Sequence, residues 1–265
     1  METFTLQLKG TPVFVTALRL RSGQAGARKT LLCLHGWGRN VSHEAFSELR
    51  EALKNSPVRV ITPDLPGFGK SPDPPRPWSV SDYADCVEEL VKTLDLRDVL
   101  LLGHSFGGRI AIKIASRRPP WVSHLYLCGA AGVGRDLLIR RRFWLAVAKC
   151  GNAFFLLPGL SLLKNFFRKL LYKLLRVRDY AEASEKMRQT MAVVISEDLT
   201  PLLEKITVPT DLFWGEKDTL TPLRDGQLMN KKIVQSKLHV FPGVRHRVHI
   251  ERAQEIAGVI RSALM

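Results

Sequence analysis

Gly103-His104-Ser105-Phe106-Gly107 constrains this chain more than any other stretch. It is a G-x-S-x-G element between Asp98-Val99-Leu100-Leu101-Leu102, an apolar run of buried-strand type, and Gly108 to Arg117, which reads as a buried helix. A serine at such a junction sits on a sharp turn that pushes its hydroxyl above the sheet edge. The glycines two before and two after it let strand and helix pass closely and tolerate unusual dihedrals. Strain at the serine is the expected cost of exposing it. A bare G-x-S-x-G arises by chance about 0.1 times in a chain of this length, so the motif needs support from elsewhere.

That support comes from the order of elements. Phe4–Lys9 and Val13–Leu20 read as an antiparallel hairpin joined at Gly10-Thr11-Pro12. After a loop rich in Gly, Ser, Ala and Arg, Thr30–Leu34 is a continuous apolar run that ends in His35-Gly36-Trp37-Gly38. Residues Ser42–Lys54 are helical in pattern, with Phe46, Leu49 and Leu53 on one face. Val58–Ile61 is the next strand and leads into Asp64-Leu65-Pro66-Gly67-Phe68-Gly69-Lys70-Ser71. Ser79 is placed to cap a helix running to Leu94. Trp121–Cys128, Thr210–Trp214 and Lys237–Phe241 are further strands, and Ile250–Leu264 is a final helix. Strands alternating with helices predict right-handed crossovers and a mostly parallel sheet covered on both faces.

A serine hydroxyl is a poor nucleophile at neutral pH and needs a base, itself oriented by a carboxylate. In an open parallel sheet these groups come from loops at the carboxyl ends of strands. The loop Gly215-Glu216-Lys217-Asp218 offers Asp218, with Glu216 and the in-strand Asp211 as rivals. The loop Pro242–His246 offers His246, with His249 as its rival. The chain order Ser, Asp, His is the one for a G-x-S-x-G hydrolase.

Five ordered motifs, His35–Gly38, Asp64–Ser71, Gly103–Gly108, Trp214–Asp218 and Gly243–Glu251, together resemble the α/β-hydrolase superfamily over nearly the whole chain. The resemblance implies an α/β fold with helices on both faces of the sheet. It implies Ser105 as nucleophile, His246 as base and then acid, and Asp218 as orienting carboxylate. The backbone N–H groups of Phe106 and Trp37 would form the oxyanion hole. His35 and His104 are expected to be structural, and Asp64 to tie loops together. Arg245 departs from the pattern, because many members have glycine there. No cofactor or metal is implied.

The implied activity is that of a serine esterase acting on a carboxylic ester or thioester with an apolar acyl part. Carbon–carbon bond hydrolases of the same superfamily are the nearest alternative. They tend to carry Asn before the serine and Trp after the histidine, where this chain has His104 and Arg247. A non-catalytic hydrolase-fold binding protein is the other alternative, and three dispersed but intact triad groups argue against it.

Charge enters the argument through one segment. The chain of 265 residues carries a formal net charge of +15, and residues 135–188 hold 13 Lys/Arg against 4 Asp/Glu. From Gly132 to about Thr200 there is no strand pattern, so residues 1–131 and 201–265 read as the core and 132–200 as an insertion. By the resemblance that insertion is a helical cap over the site. Leu162-Leu163, Phe166-Phe167, Leu170-Leu171 and Leu174-Leu175 alternate with basic residues, the pattern of a basic amphipathic helix. With Arg140–Arg142, Trp144, Phe154 and Phe155 it suits peripheral contact with an anionic membrane. No nucleic-acid motif accompanies the charge. The N-terminus has no signal-peptide pattern, and the four scattered cysteines read as reduced thiols, so a cytoplasmic protein is expected.

Overall fold

The strands that carry the sheet are apolar on both sides, and this dictates two layers of helices. The computed structural model describes residues 1–18, 29–38, 40–133 and 183–264. Among them, β1 (Glu2–Leu8), β2 (Thr11–Leu18), β3 (Lys29–Leu34), β4 (Arg59–Pro63), β5 (Asp98–His104), β6 (Val122–Cys128), β7 (Thr210–Gly215) and β8 (Ser236–Phe241) form one sheet. Its order is β1-β2-β4-β3-β5-β6-β7-β8. The first two pairings are antiparallel and every later one is parallel.

The period-2 alternation of the strands sorts the core into two. Leu32, Leu34, Leu101, Leu125 and Leu127 face α2 (Val80–Thr93) and α3 (Phe106–Ser116). Leu31, Cys33, Leu100, Leu102 and Tyr126 face α1 (Ser47–Leu53) and the C-terminal helices. Phe46, Leu49 and Leu53, placed on one helical face by their spacing, are all fully buried in this second layer. Each such side chain contributes about 1.5–3 kcal/mol through burial. Ser79 caps α2 as expected. Its hydroxyl accepts the Asp82 N–H at 3.2 Å while the Asp82 carboxylate accepts the Ser79 N–H at 2.8 Å.

Two local expectations are corrected. The first hairpin turns at Lys9-Gly10 rather than at 10–12, and both residues have positive φ (50° and 72°), as a two-residue type I′ turn requires. Pro12 instead pairs with Gln7 inside β2, beyond the Val15–Leu18 stretch that pairs with β4, so its missing N–H breaks no ladder bond there. The final helix is two pieces. A short turn, Val248–Glu251, precedes the longer Ala253–Ser262, and Arg252 between them has φ −128°.

Past β6, the next helix among the described residues is α4 (Glu185–Ser196), which is fastened at both ends to the elements around the sheet. Ser184 Oγ donates to Asp73 at 2.6 Å, and the Trp78 N–H donates to Thr190 Oγ1 at 3.1 Å. At the far end the buried Arg109 donates to the carbonyls of Val194 (2.7 Å) and Glu197 (2.6 Å). The basic amphipathic segment 162–176, Arg140–Arg142, Trp144, Phe154, Phe155 and Cys150 lie outside the described residues, as does most of the loop after β2. Cys33, Cys86 and Cys128 are buried free thiols, and burial pushes Cys86 up to about 12. No helix among the described residues is long and apolar enough to cross a membrane.

Candidate active site

The carboxyl ends of β3, β5, β7 and β8 meet at one rim. Ser105 follows β5 with φ 51° and ψ −109°, a backbone region hostile to a side chain. Its own backbone bonds hold it there. The Ser105 N–H donates to the Cys128 carbonyl at 3.1 Å, and its carbonyl accepts from Gly108 (3.0 Å) and Ala131 (3.0 Å). Gly103 makes the turn feasible, because a Cβ there would lie 2.5 Å from the Gly107 carbonyl oxygen and 2.7 Å from Gly108 Cα.

The loop after β7 is tied to the loop after β8. Glu216 N–H reaches the Phe241 carbonyl at 3.0 Å and Lys217 N–H reaches Val244 at 2.8 Å. Asp218 and His246 are thereby brought together, with His246 Nδ1 donating to Asp218 Oδ2 at 2.7 Å. With its proton committed there, the ring presents Nε2 as the acceptor. The other carboxylate oxygen accepts the amides of Leu220 (2.9 Å) and Thr221 (3.0 Å). Burial alone would raise the Asp218 carboxyl. The His246 hydrogen bond and charge, with the Thr221 amide and hydroxyl, outweigh it and hold Asp218 below the usual carboxylate range.

The rivals are engaged elsewhere. Asp211 stands near the opposite end of β7, between His124 (2.9 Å) and His239 (2.6 Å). Glu216 accepts the Gly243 N–H at 3.0 Å. His249 is buried, its ring centroid 3.8 Å from that of His104 and 5.3 Å from that of Phe46, and burial pushes it down to about 3. His104 Nε2 donates to the His246 carbonyl at 3.1 Å, which links the residue before the serine to the histidine loop. Burial also lowers His35 to about 4. Its Nδ1 donates to Gly36 and its Nε2 accepts the Leu65 N–H, so it braces the turn that carries Trp37. Asp64 is wholly buried and ties loops, accepting from His43 and Lys70.

Among the described residues the amides of Trp37 and Phe106 donate to no acceptor. Phe106 is the first residue of α3, where a helix has unpaired N–H groups by construction. The two side chains meet edge to face, with ring centroids 5.2 Å apart, and both pack on Phe68 at 4.9 and 5.9 Å. The Ser105 hydroxyl, partly exposed, makes no hydrogen bond among the described residues. Such a bond is often long in a resting site and tightens around substrate. Arg245 is exposed.

Thr221 is the residue that sequence reasoning missed. It is 4% exposed. Its hydroxyl lies 2.8 Å from Asp218 Oδ2, 3.2 Å from His246 Nδ1 and 3.0 Å from the Gly129 carbonyl. The available signal was Asp218 followed three residues on by Thr, an acid and a hydroxyl on one turn of chain.

Comparison with known proteins agrees with this architecture. A family model described as "Alpha/beta hydrolase family" matches residues 31–259. The AB hydrolase superfamily protein YisY of Bacillus subtilis is 30% identical over 249 residues, covering 89% of this chain and 91% of that protein. A 2-hydroxy-6-oxononadienedioate/2-hydroxy-6-oxononatrienedioate hydrolase of Escherichia coli is 28% identical, covering 89% of this chain and 87% of its own. Among solved structures, an esterase from Exiguobacterium antarcticum superposes with a TM-score of 0.72 at 25% identity, covering 98% of each chain. A mostly parallel eight-stranded sheet, a strained serine at the end of its central strand and a matching family model over most of the sequence lead to one conclusion: the chain belongs to the alpha/beta hydrolase family.

Proposed function

We propose that the protein is a cofactor-free serine hydrolase that cleaves a carboxylic ester or thioester with an apolar acyl group. The observation that carries this reading is the His246–Asp218 pair, whose bond at 2.7 Å leaves Nε2 free to take a proton at the rim where Ser105 stands. His246 Nε2 accepts the Ser105 proton as Oγ bonds to the substrate carbonyl carbon. The oxyanion that forms is received by the Phe106 and Trp37 amides, each such donor contributing about 2.7–4 kcal/mol to barrier lowering. The imidazolium then gives its proton to the leaving alcohol or thiol as the C–O or C–S bond breaks. Water, deprotonated by Nε2, releases the acid, and Ser105 recovers its proton. The aromatic edges of Trp37, Phe68 and Phe106 supply an apolar surface beside those amides.

The insertion at 132–200 acts in this reading as a cap, with its basic segment available to an anionic membrane surface. The test is a fluorophosphonate probe with a panel of p-nitrophenyl esters from acetate to palmitate, with and without anionic liposomes. Labelling at Ser105 that is lost in Ser105→Ala, with ester turnover, supports the proposal. Folded protein that neither labels nor turns over refutes it. A second reading, carbon–carbon bond hydrolysis, draws on the Escherichia coli relative, and an assay with a ring-cleavage product separates the two.

A further inference from the structure

A threonine hydroxyl has one proton and two lone pairs, and at Thr221 the proton and one lone pair are engaged. Asp218 Oδ2 at 2.8 Å and the Gly129 carbonyl at 3.0 Å can only accept, so the hydroxyl proton is directed to that pair. His246 Nδ1, at 3.2 Å, already carries a proton aimed at Asp218 Oδ2, so it meets a lone pair of the same hydroxyl. The ring proton therefore lies between two acceptors, a carboxylate and a hydroxyl. The carboxylate in turn faces only donors: the amides of Leu220 and Thr221 on one oxygen, His246 and the Thr221 hydroxyl on the other.

Gly129 fixes the geometry of this triangle. It follows β6 with φ 48°, and a Cβ at that position would stand 3.2 Å from Asp218 Oδ2 and 3.4 Å from His246 Nδ1. The Gly129 amide is held by the Phe213 carbonyl at 2.9 Å. Thr221 thus joins the chain ends of β6, β7 and β8 at the point where the imidazole must hold its plane while its charge changes.

We infer that Thr221 is a positioning residue for the proposed hydrolase chemistry. It acts through Asp218 and His246, fixing the Nδ1–H tautomer and the ring plane of the imidazole as it becomes charged. The inference rests on the serine-hydrolase reading, and it is tested with Thr221→Val, Thr221→Ala and Thr221→Ser. Loss of a hydrogen bond to charged partners predicts that Thr221→Val and Thr221→Ala each lower kcat about 10- to 100-fold with KM within about 2-fold. Thr221→Ser keeps the hydroxyl and stays within about 3-fold of wild type.

The second readout needs no turnover. The downfield proton resonance of His246 Nδ1–H is expected in wild type and Thr221→Ser, and broadened by solvent exchange in whichever of the other two variants folds. A kcat within 2-fold of wild type in Thr221→Val, a resonance unchanged there, or a serine variant as impaired as valine overturns the role. Failure of the wild type to label at Ser105 overturns the hydrolase reading instead, and the resonance still reports on Thr221 by itself.

Discussion

Gly103→Ala puts the contact between sheet and serine turn under direct stress. The added Cβ would lie 2.5 Å from the Gly107 oxygen, 2.6 Å from its carbonyl carbon and 2.7 Å from Gly108 Cα. All three are backbone atoms, so no side-chain rotation relieves the overlap. Ordinary contact begins near 3.4 Å, so the end of β5 and the first turn of α3 must separate by roughly 1 Å. Overpacking of this kind costs about 1–3 kcal/mol, which lowers Tm by about 2–5 °C in a chain of this size. The same displacement moves Ser105 and the Phe106 amide, and a misplacement of about 1 Å costs about 100-fold in rate. Gly10→Ala is the control. Unlike Gly103 it sits at positive φ (72°), but no atom lies within 4 Å of its Cβ and it is in the first hairpin. Thermal unfolding and ester turnover per folded molecule are measured for both variants. The control is expected to lose a little stability and no activity. If Gly103→Ala stays within 3-fold of wild type in turnover, the close-approach argument is refuted.

The buried histidines predict an acid-labile fold. His35, lowered from 6.5 to about 4, is neutral in the native state and takes up a proton on unfolding anywhere between those values. The unfolded state then binds more protons, so stability falls as pH drops from 6.5 toward 4, by roughly 3 kcal/mol for this group alone. His249 and His104 act in the same direction, and the lowered Asp218 adds its own loss below its ordinary value near 3.8. Urea midpoints at pH 7, 6 and 5 check this, and a flat series would contradict it. Asp64→Ala leaves the His43 amide, the His43 ring and the Lys70 amide without their acceptor in a fully buried site. The expected cost is about 3–5 kcal/mol, read from chemical denaturation, and a loss under 1 kcal/mol would show that the loops hold without it.

What the sequence made legible was whatever depends on neighbours along the chain. The apolar runs of β3 and β5, the cap at Ser79 and the serine between strand and helix are all local patterns, and each recurs in the structure. Asp218 and His246 were legible at one remove, since each follows a strand whose carboxyl end must reach the same rim. The partnership of Asp211 with His124 and His239 was hidden, because it depends on β6, β7 and β8 lying side by side. Thr221 was hidden for a related reason: two of its hydroxyl's three neighbours, Gly129 and His246, come from other strands' loops. Pro12 misled the hairpin reading because proline signals turns, while the pairing geometry left room for it in a strand.

The backbone at Ser105 has a bearing on any attempt to harden this protein. A side chain held at φ 51° and ψ −109° costs about 1–3 kcal/mol that glycine would not incur. Laboratory selection by heat or protease survival alone would therefore enrich glycine at position 105 and return robust molecules without the hydroxyl on which the proposed chemistry rests. The most stable version of this chain and the most useful one differ at that residue, so a stabilisation campaign has to score turnover beside survival in every round.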